Sequence, residues 1–377
     1  MEDTRHDSRA AQARVSAIAG LPDPFLRADG SRLSSPGEWA ARRREILAQI
    51  VDIEYGGLPP RPERTLWTEL SRTSVGWLDR ATFITGQVRT GPDRPFAFLM
   101  QLLVPPGKGP FPVVLHGDGC WRTATDEIST HVVRSGCILA QFNRTELAAD
   151  NEGWRDTGLY RVFPDGQFGE LAAWAWGYHR CVDVLAGLPE ADAARIAVVG
   201  HSRGGKTTLL AGATDERIAL TSANNSGAGG AGCFRVQGPE SETLAALLRG
   251  FPRWFGARLR DYVGREAELP FDQHCLKALV APRALLTTEG FGDVWANPAG
   301  TWQTHLAARE VFRFLGVPER IGVWFREGGH NHGLADWKAL LDFMAWQLDG
   351  APLRECFAPD PFPGTPAAFG WRAPGRH

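Results

Sequence analysis

Short apolar runs recur along the chain, and longer segments with helical spacing separate them. The runs in FPVVLHGDGCW (residues 111–121), GCILAQFN (136–143) and RIAVV (195–199), and those at 218–223, 283–288 and from Ile321 onward, have the unbroken hydrophobicity of strands buried on both faces. Residues 64–105 alternate instead and predict antiparallel strands ending in FAFLMQLLVP. In SSPGEWAARRREILAQIVDIEYG, Trp39, Ile46, Ile50 and Val51 fall on one helical face, with Ser35 as N-cap and Pro36 in the first turn. Leu171, Trp174, Val182 and Leu185 define a second helix over 168–188, and a last amphipathic helix follows GGHNHG. Strands alternating with helices predict an α/β protein whose mostly parallel, doubly wound sheet lies between helical layers.

This pattern supports one catalytic domain over residues 36–350, with a mostly helical insertion at 237–269. Residues 1–35 read as a loosely structured extension and 351–377 as a tail rich in proline and glycine. In such a sheet, sites lie at the carboxyl ends of the strands.

The candidate chemistry sits at one of those ends. In RIAVVGHSRGGKTTLLAGA an apolar strand breaks into a helix, and Gly200, Ser202 and Gly204 give the G-x-S-x-G spacing of a nucleophile elbow. Serine is a weak nucleophile, so a histidine base and an acid are required elsewhere. Asp293 and the two histidines of GGHNHG, His330 and His332, also follow predicted strands. The order serine, acid, histidine is that of α/β-hydrolases. His116-Gly117 stands where that fold places a second oxyanion donor.

Composition removes other classes. A formal net charge of −2 gives no electrostatic case for nucleic acid or a membrane as partner, and no apolar run reaches the length of a bilayer span. The six cysteines lack metal-binding or redox spacing, and read as buried thiols with no metal or cofactor implied. The glycine-rich loop after residue 223 lacks the lysine-serine ending of a phosphate-binding loop. The polar first twenty residues lack the apolar core of a secretory signal, so the chain reads as cytoplasmic. A chain trimmed of its leader, and therefore secreted or periplasmic, would look the same.

Longer segments carry a resemblance. AWAWGYHRCVDVL, the serine segment, NNSGAGGAGCFR, ESETLAALLRGFPRWF, LPFDQHCLKALVAPRALL, GDVWANPAG and GGHNHG resemble the glucuronoyl esterases, carbohydrate esterase family fifteen, especially their bacterial branch. The resemblance implies a metal-free serine esterase that cleaves the ester between 4-O-methyl-glucuronic acid of xylan and lignin alcohols. It implies Ser202 as nucleophile and Arg203 as the arginine that holds the oxyanion. Lys206, Glu242 and Trp295 fall on sugar-binding positions. Fungal members carry a glutamate where Asn225 stands, so Asp293 is the expected acid, with Glu289 a lesser candidate. His332 matches the family histidine and is the expected base, with His330 the alternative. His201 replaces a cysteine, which excludes the disulfide of fungal members, while His116 and His274 read as structural. A carbohydrate deacetylase on the same triad and a non-catalytic carbohydrate-binding relative are the competing expectations.

Overall fold

Nine strands form the central sheet: β1 (Arg64–Val75), β2 (Ala81–Gly91), β3 (Ala97–Val104), β4 (Phe111–His116), β5 (Ile138–Phe142), β6 (Ala191–His201), β7 (Leu220–Asn224), β8 (Ala284–Gly290) and β9 (Ile321–Arg326). They belong to a computed structural model that describes residues 16–353, 357 and 360–375. Their order across the sheet is β9-β8-β7-β6-β4-β5-β3-β2-β1. The β9-to-β5 portion is parallel, and β3, β2 and β1 continue it antiparallel.

The parallel strands are apolar on both sides because each side faces a helical layer. Along β6, Ile196 and Val198 enter one core while Ala197 and Val199 enter the other. The first core is closed by α1 (Trp39–Ile53), α3 (Glu170–Leu185), α4 (Arg203–Thr214) and α5 (Pro298–Phe314). The second is closed by α2 (Asp126–Arg134) and α6 (Leu334–Asp349), through Ile128, Val132, Trp337, Leu340 and Phe343. Helix α3 is buried almost all round, so its Trp174 must satisfy its indole N–H internally; it donates to the Ala148 carbonyl at 2.9 Å.

Two expectations need correction. In α1, Val51 is only half-buried, and Ile53 completes the inward face with Trp39, Ile46 and Ile50. Between residues 237 and 269 only Leu244–Gly250 is α-helical, followed by 3-10 turns at Ala257–Tyr262 and Glu266–Glu268. Pro239, Pro252, Gly256 and Gly264 interrupt the segment too often for a longer helix. Within the ends of the chain, the described residues pack together: Leu21 N–H donates to the Ala368 carbonyl, and Trp371 Nε1 to the Leu21 carbonyl. Cys137, Cys181, Cys233 and Cys275 are buried thiols and Cys120 is half-buried; Cys356 lies outside the described residues. Among the described residues no helix is long and apolar enough to cross a membrane.

Candidate active site

Strand β6 ends at His201, and Ser202 follows at φ 57°, ψ −123°. A side chain in that left-handed region costs on the order of 1–3 kcal/mol, so neighbouring structure must hold it there. Ser202 N–H donates to the Asn224 carbonyl at 2.9 Å, and its own carbonyl accepts from Lys206 N–H at 3.1 Å. The turn is tight enough to demand glycine on both flanks. A Cβ on Gly200 would lie 2.3 Å from the Gly204 carbonyl oxygen, and one on Gly204 would lie 2.3 Å from Asp118 Oδ1. Asp118 is itself buried, ion-paired with Arg144, and accepts the His201 N–H at 2.8 Å. A carboxylate two residues beyond β4 therefore braces the serine turn from beneath.

His330 faces Ser202. Its Nε2 lies 3.0 Å from Ser202 Oγ and its Nδ1 2.6 Å from Asp293 Oδ2. An ionised carboxylate can only accept, so Nδ1 carries the proton and Nε2 presents a lone pair to the serine hydroxyl. Asp293, on the loop after β8, is only 5% exposed. Burial raises its pKa, but hydrogen bonds from His330 and Asn225 outweigh that and hold the carboxyl below its ordinary range.

His332 is not at the serine, contrary to expectation. One residue separates the two histidines, and both rings lie against His201, yet only His330 reaches the serine. The His332 ring stacks on Trp337 at 5.0 Å and on His201 at 5.8 Å. Its Nδ1 is buried without a hydrogen-bond partner among the described residues, and burial drives its pKa well below the imidazole range. A second correction concerns His116-Gly117: the Gly117 N–H donates to Tyr178 Oη at 2.7 Å, so it is not available to an oxyanion. His116 is buried edge-on to Trp337. His274 is buried as well, with Nε2 2.8 Å from the Pro22 carbonyl.

Arg203 is the first residue of α4. Its guanidinium lies 4.5 Å above the Trp254 ring, with Phe251 and Trp121 at 5.2 and 5.4 Å, and Nη1 pairs with Asp150 at 2.5 Å. A planar, permanently charged group so held keeps its charge fixed beside Ser202. Lys206 points inward. Its ammonium donates to the Ser226 carbonyl at 2.7 Å, to the Ala228 carbonyl and to Glu242 Oε2 at 3.3 Å, which commits all three hydrogens. Glu242 is itself buried, with Oε2 turned to the ammonium. Glu242 N–H donates to the Trp295 carbonyl at 2.9 Å, which ties this pair to the acid loop, and the Trp295 side chain is exposed. Glu289 is fully buried, accepts from Thr301 Oγ1 at 3.0 Å, and is pushed upward by burial and by Asp293.

Asn225, at φ 42°, fills a place that the pattern suggested for an acid, yet Asp293 supplies a carboxylate next to it. Its Nδ2 donates to Asp293 Oδ2 at 2.6 Å. Sequence reasoning left unnoticed Asp118, Asn225 as a donor, and Arg326, the last residue of β9. The available signal was position alone, a charged or amide residue just where an apolar strand stops. Among the described residues no group of three or more histidine, cysteine, aspartate or glutamate side chains could hold a metal ion.

Comparison with known proteins finds esterases. The sequence profile of a family described as "Glucuronyl esterase, fungi" matches residues 90–316. A 4-O-methyl-glucuronoyl methylesterase from Wolfiporia cocos is 33% identical over 342 residues, covering 86% of this chain and 80% of its own. A carbohydrate esterase family 15 glucuronoyl esterase from Caldicellulosiruptor kristjansonii superposes with a TM-score of 0.79 at 33% identity, over 94% of this chain and 98% of its own. A glucuronoyl esterase mutant from Sporotrichum thermophile, solved with methyl 4-O-methyl-beta-D-glucopyranuronate, gives 0.74 at 28% identity over 91% of each chain.

Proposed function

This chain belongs to the glucuronoyl esterases, carbohydrate esterase family fifteen, which are carboxylic-ester hydrolases, and on that premise we propose that it cleaves 4-O-methyl-glucuronoyl esters through an acyl-enzyme on Ser202. One observation carries the reading: the unbroken hydrogen-bonded line from Ser202 Oγ through His330 to Asp293.

His330 Nε2 takes the hydroxyl proton as Ser202 Oγ attacks the ester carbonyl. Negative charge gathers on the carbonyl oxygen beside the Arg203 guanidinium and the unpaired N–H groups at the start of α4. His330 then returns the proton to the departing alcohol oxygen. In the second half, a water gives its proton to His330 and attacks the acyl carbon; His330 then returns that proton to Ser202 Oγ as the acyl–oxygen bond breaks and the uronic acid leaves. Asp293 keeps Nδ1 protonated and stabilises the imidazolium that forms in each half.

Recognition of the sugar falls to the β7 and β8 side of Ser202. Trp295 offers an exposed indole for a pyranose ring, and the Glu242 carboxylate offers an acceptor for a hydroxyl. Lys206 fixes Glu242 rather than reaching the sugar itself. The test is hydrolysis of benzyl and methyl glucuronate beside an acetylated xylo-oligosaccharide, with Ser202→Ala as control. The reading expects turnover of the uronate esters alone, abolished by the substitution; preference for the acetyl ester would replace it with a deacetylase.

A further inference from the structure

The base His330 sits on a loop of its own, with its side chain 44% exposed and two glycines, Gly328 and Gly329, immediately before it. Neither a helix nor a strand carries it. Yet it must exchange a proton with the serine oxygen and then with the leaving alcohol, and an error of about 1 Å in such a group can cost on the order of 100-fold in rate.

The contacts that restrain this loop converge on Arg326. Its Nη1 donates to the Gly329 carbonyl at 3.2 Å and its Nη2 to the Asn331 carbonyl, so one guanidinium holds the backbone on both sides of His330. The same Nη2 lies 3.3 Å from Asn225 Oδ1, and Asn225 Nδ2 donates to Asp293. Nε meets both oxygens of Asp336, at 2.8 and 2.9 Å, and Asp336 also accepts from Gly333 N–H and Asn224 Nδ2. Asn224 in turn accepts from His201 Nδ1 at 2.6 Å, just before the nucleophile. The acid loop and the histidine loop are zipped beside this point by Phe291 N–H to the Arg326 carbonyl and Gly292 N–H to the Gly328 carbonyl.

We propose that Arg326 is a positioning residue for the reaction: its guanidinium grips the backbone around His330 and, through Asn225, the carboxylate that orients it, so that base and acid move in one register. The planar fork is what makes this feasible. A lysine could still pair with Asp336, but a single ammonium cannot span two carbonyls and an amide oxygen that lie in different directions. The proposal rests on the esterase reading for its substrate, though not for its test.

The test compares wild type, Arg326→Lys, Arg326→Gln, Asn225→Ala and the double variant Arg326→Gln/Asn225→Ala. It reads kcat and KM on benzyl glucuronate, the rate at which a fluorophosphonate labels Ser202, and thermal unfolding. Expected for Arg326→Lys are a folded protein, a kcat lower by about 10- to 100-fold, a KM within about threefold, and labelling slowed in proportion to kcat. The double variant should lose less than the product of the two single losses, because each change removes the Arg326–Asn225 contact. Wild-type kcat and labelling in Arg326→Lys, a loss confined to KM, or additive losses in the double variant would overturn the proposal. If wild type labels but leaves the uronate ester intact, the substrate reading fails, and the labelling rates still decide the role of Arg326.

Discussion

Asn225 Nδ2 and His330 Nδ1 each stand 2.6 Å from the same oxygen of Asp293. At the position where the resemblance implied an acid in fungal members, the amide is a donor, and the carboxylate comes from the loop after the next strand. Two donors on one oxygen account for the depressed carboxyl, and they fix which oxygen faces the imidazole.

Asp293→Asn should therefore lower kcat by about 10⁴-fold while leaving the fold intact, because an amide permits the wrong histidine tautomer. Glu289→Gln should leave most activity in place, since Glu289 hydrogen-bonds to Thr301 and does not touch His330. Steady-state rates on a uronate ester check both; equal losses would make Glu289 a working acid.

Gly204→Ala should unfold the protein more readily as well as inactivate it. The added methyl would displace the buried Asp118 carboxylate, which is paired with Arg144. Breaking a buried ion pair costs about 3–5 kcal/mol. Denaturant unfolding measures this, and a variant of unchanged stability would show that the turn can shift aside.

Trp295→Ala should act on binding. An aromatic face is worth about 1 kcal/mol to a stacked ring, so KM for a glucuronate ester should rise about fivefold with kcat little changed. A fall in kcat alone would place the indole at the reacting bond.

Glu54 gives the protein a pH-dependent stability remote from the site. It is fully buried, contacted by Gln273 Nε2 at 3.1 Å on both oxygens, and burial pushes its pKa up to about 8. A carboxyl whose folded pKa lies above its unfolded value, about 4.3, stabilises fully below that value and loses the contribution as pH rises toward 8. Between pH 5 and pH 8 the melting temperature of wild type should therefore fall relative to that of Glu54→Gln; a constant difference would contradict this.

The parallel sheet, the serine turn and the loop of Asp293 were legible because each depends on residues adjacent in sequence: a run buried on both faces, a glycine-flanked break, an acid just past a strand. His330 and His332 could not be told apart that way. Local spacing is the same for both, and what separates them is their tertiary partners: the His332 ring stacks on Trp337, while His330 meets Asp293 and Ser202, 37 and 128 residues distant. Lys206 lies in the expected segment, but three acceptors far along the chain turn it inward. Arg326 left no local mark, since its partners lie on four separate segments.

The most direct measurement sets His330→Ala beside His332→Ala, assayed for benzyl glucuronate hydrolysis together with thermal unfolding. The account predicts a loss on the order of 10⁶-fold for His330→Ala with the fold retained. For His332→Ala it predicts a lower melting temperature, from the lost packing on Trp337, with most turnover kept. The reverse, an active His330→Ala and a folded but inactive His332→Ala, would contradict it.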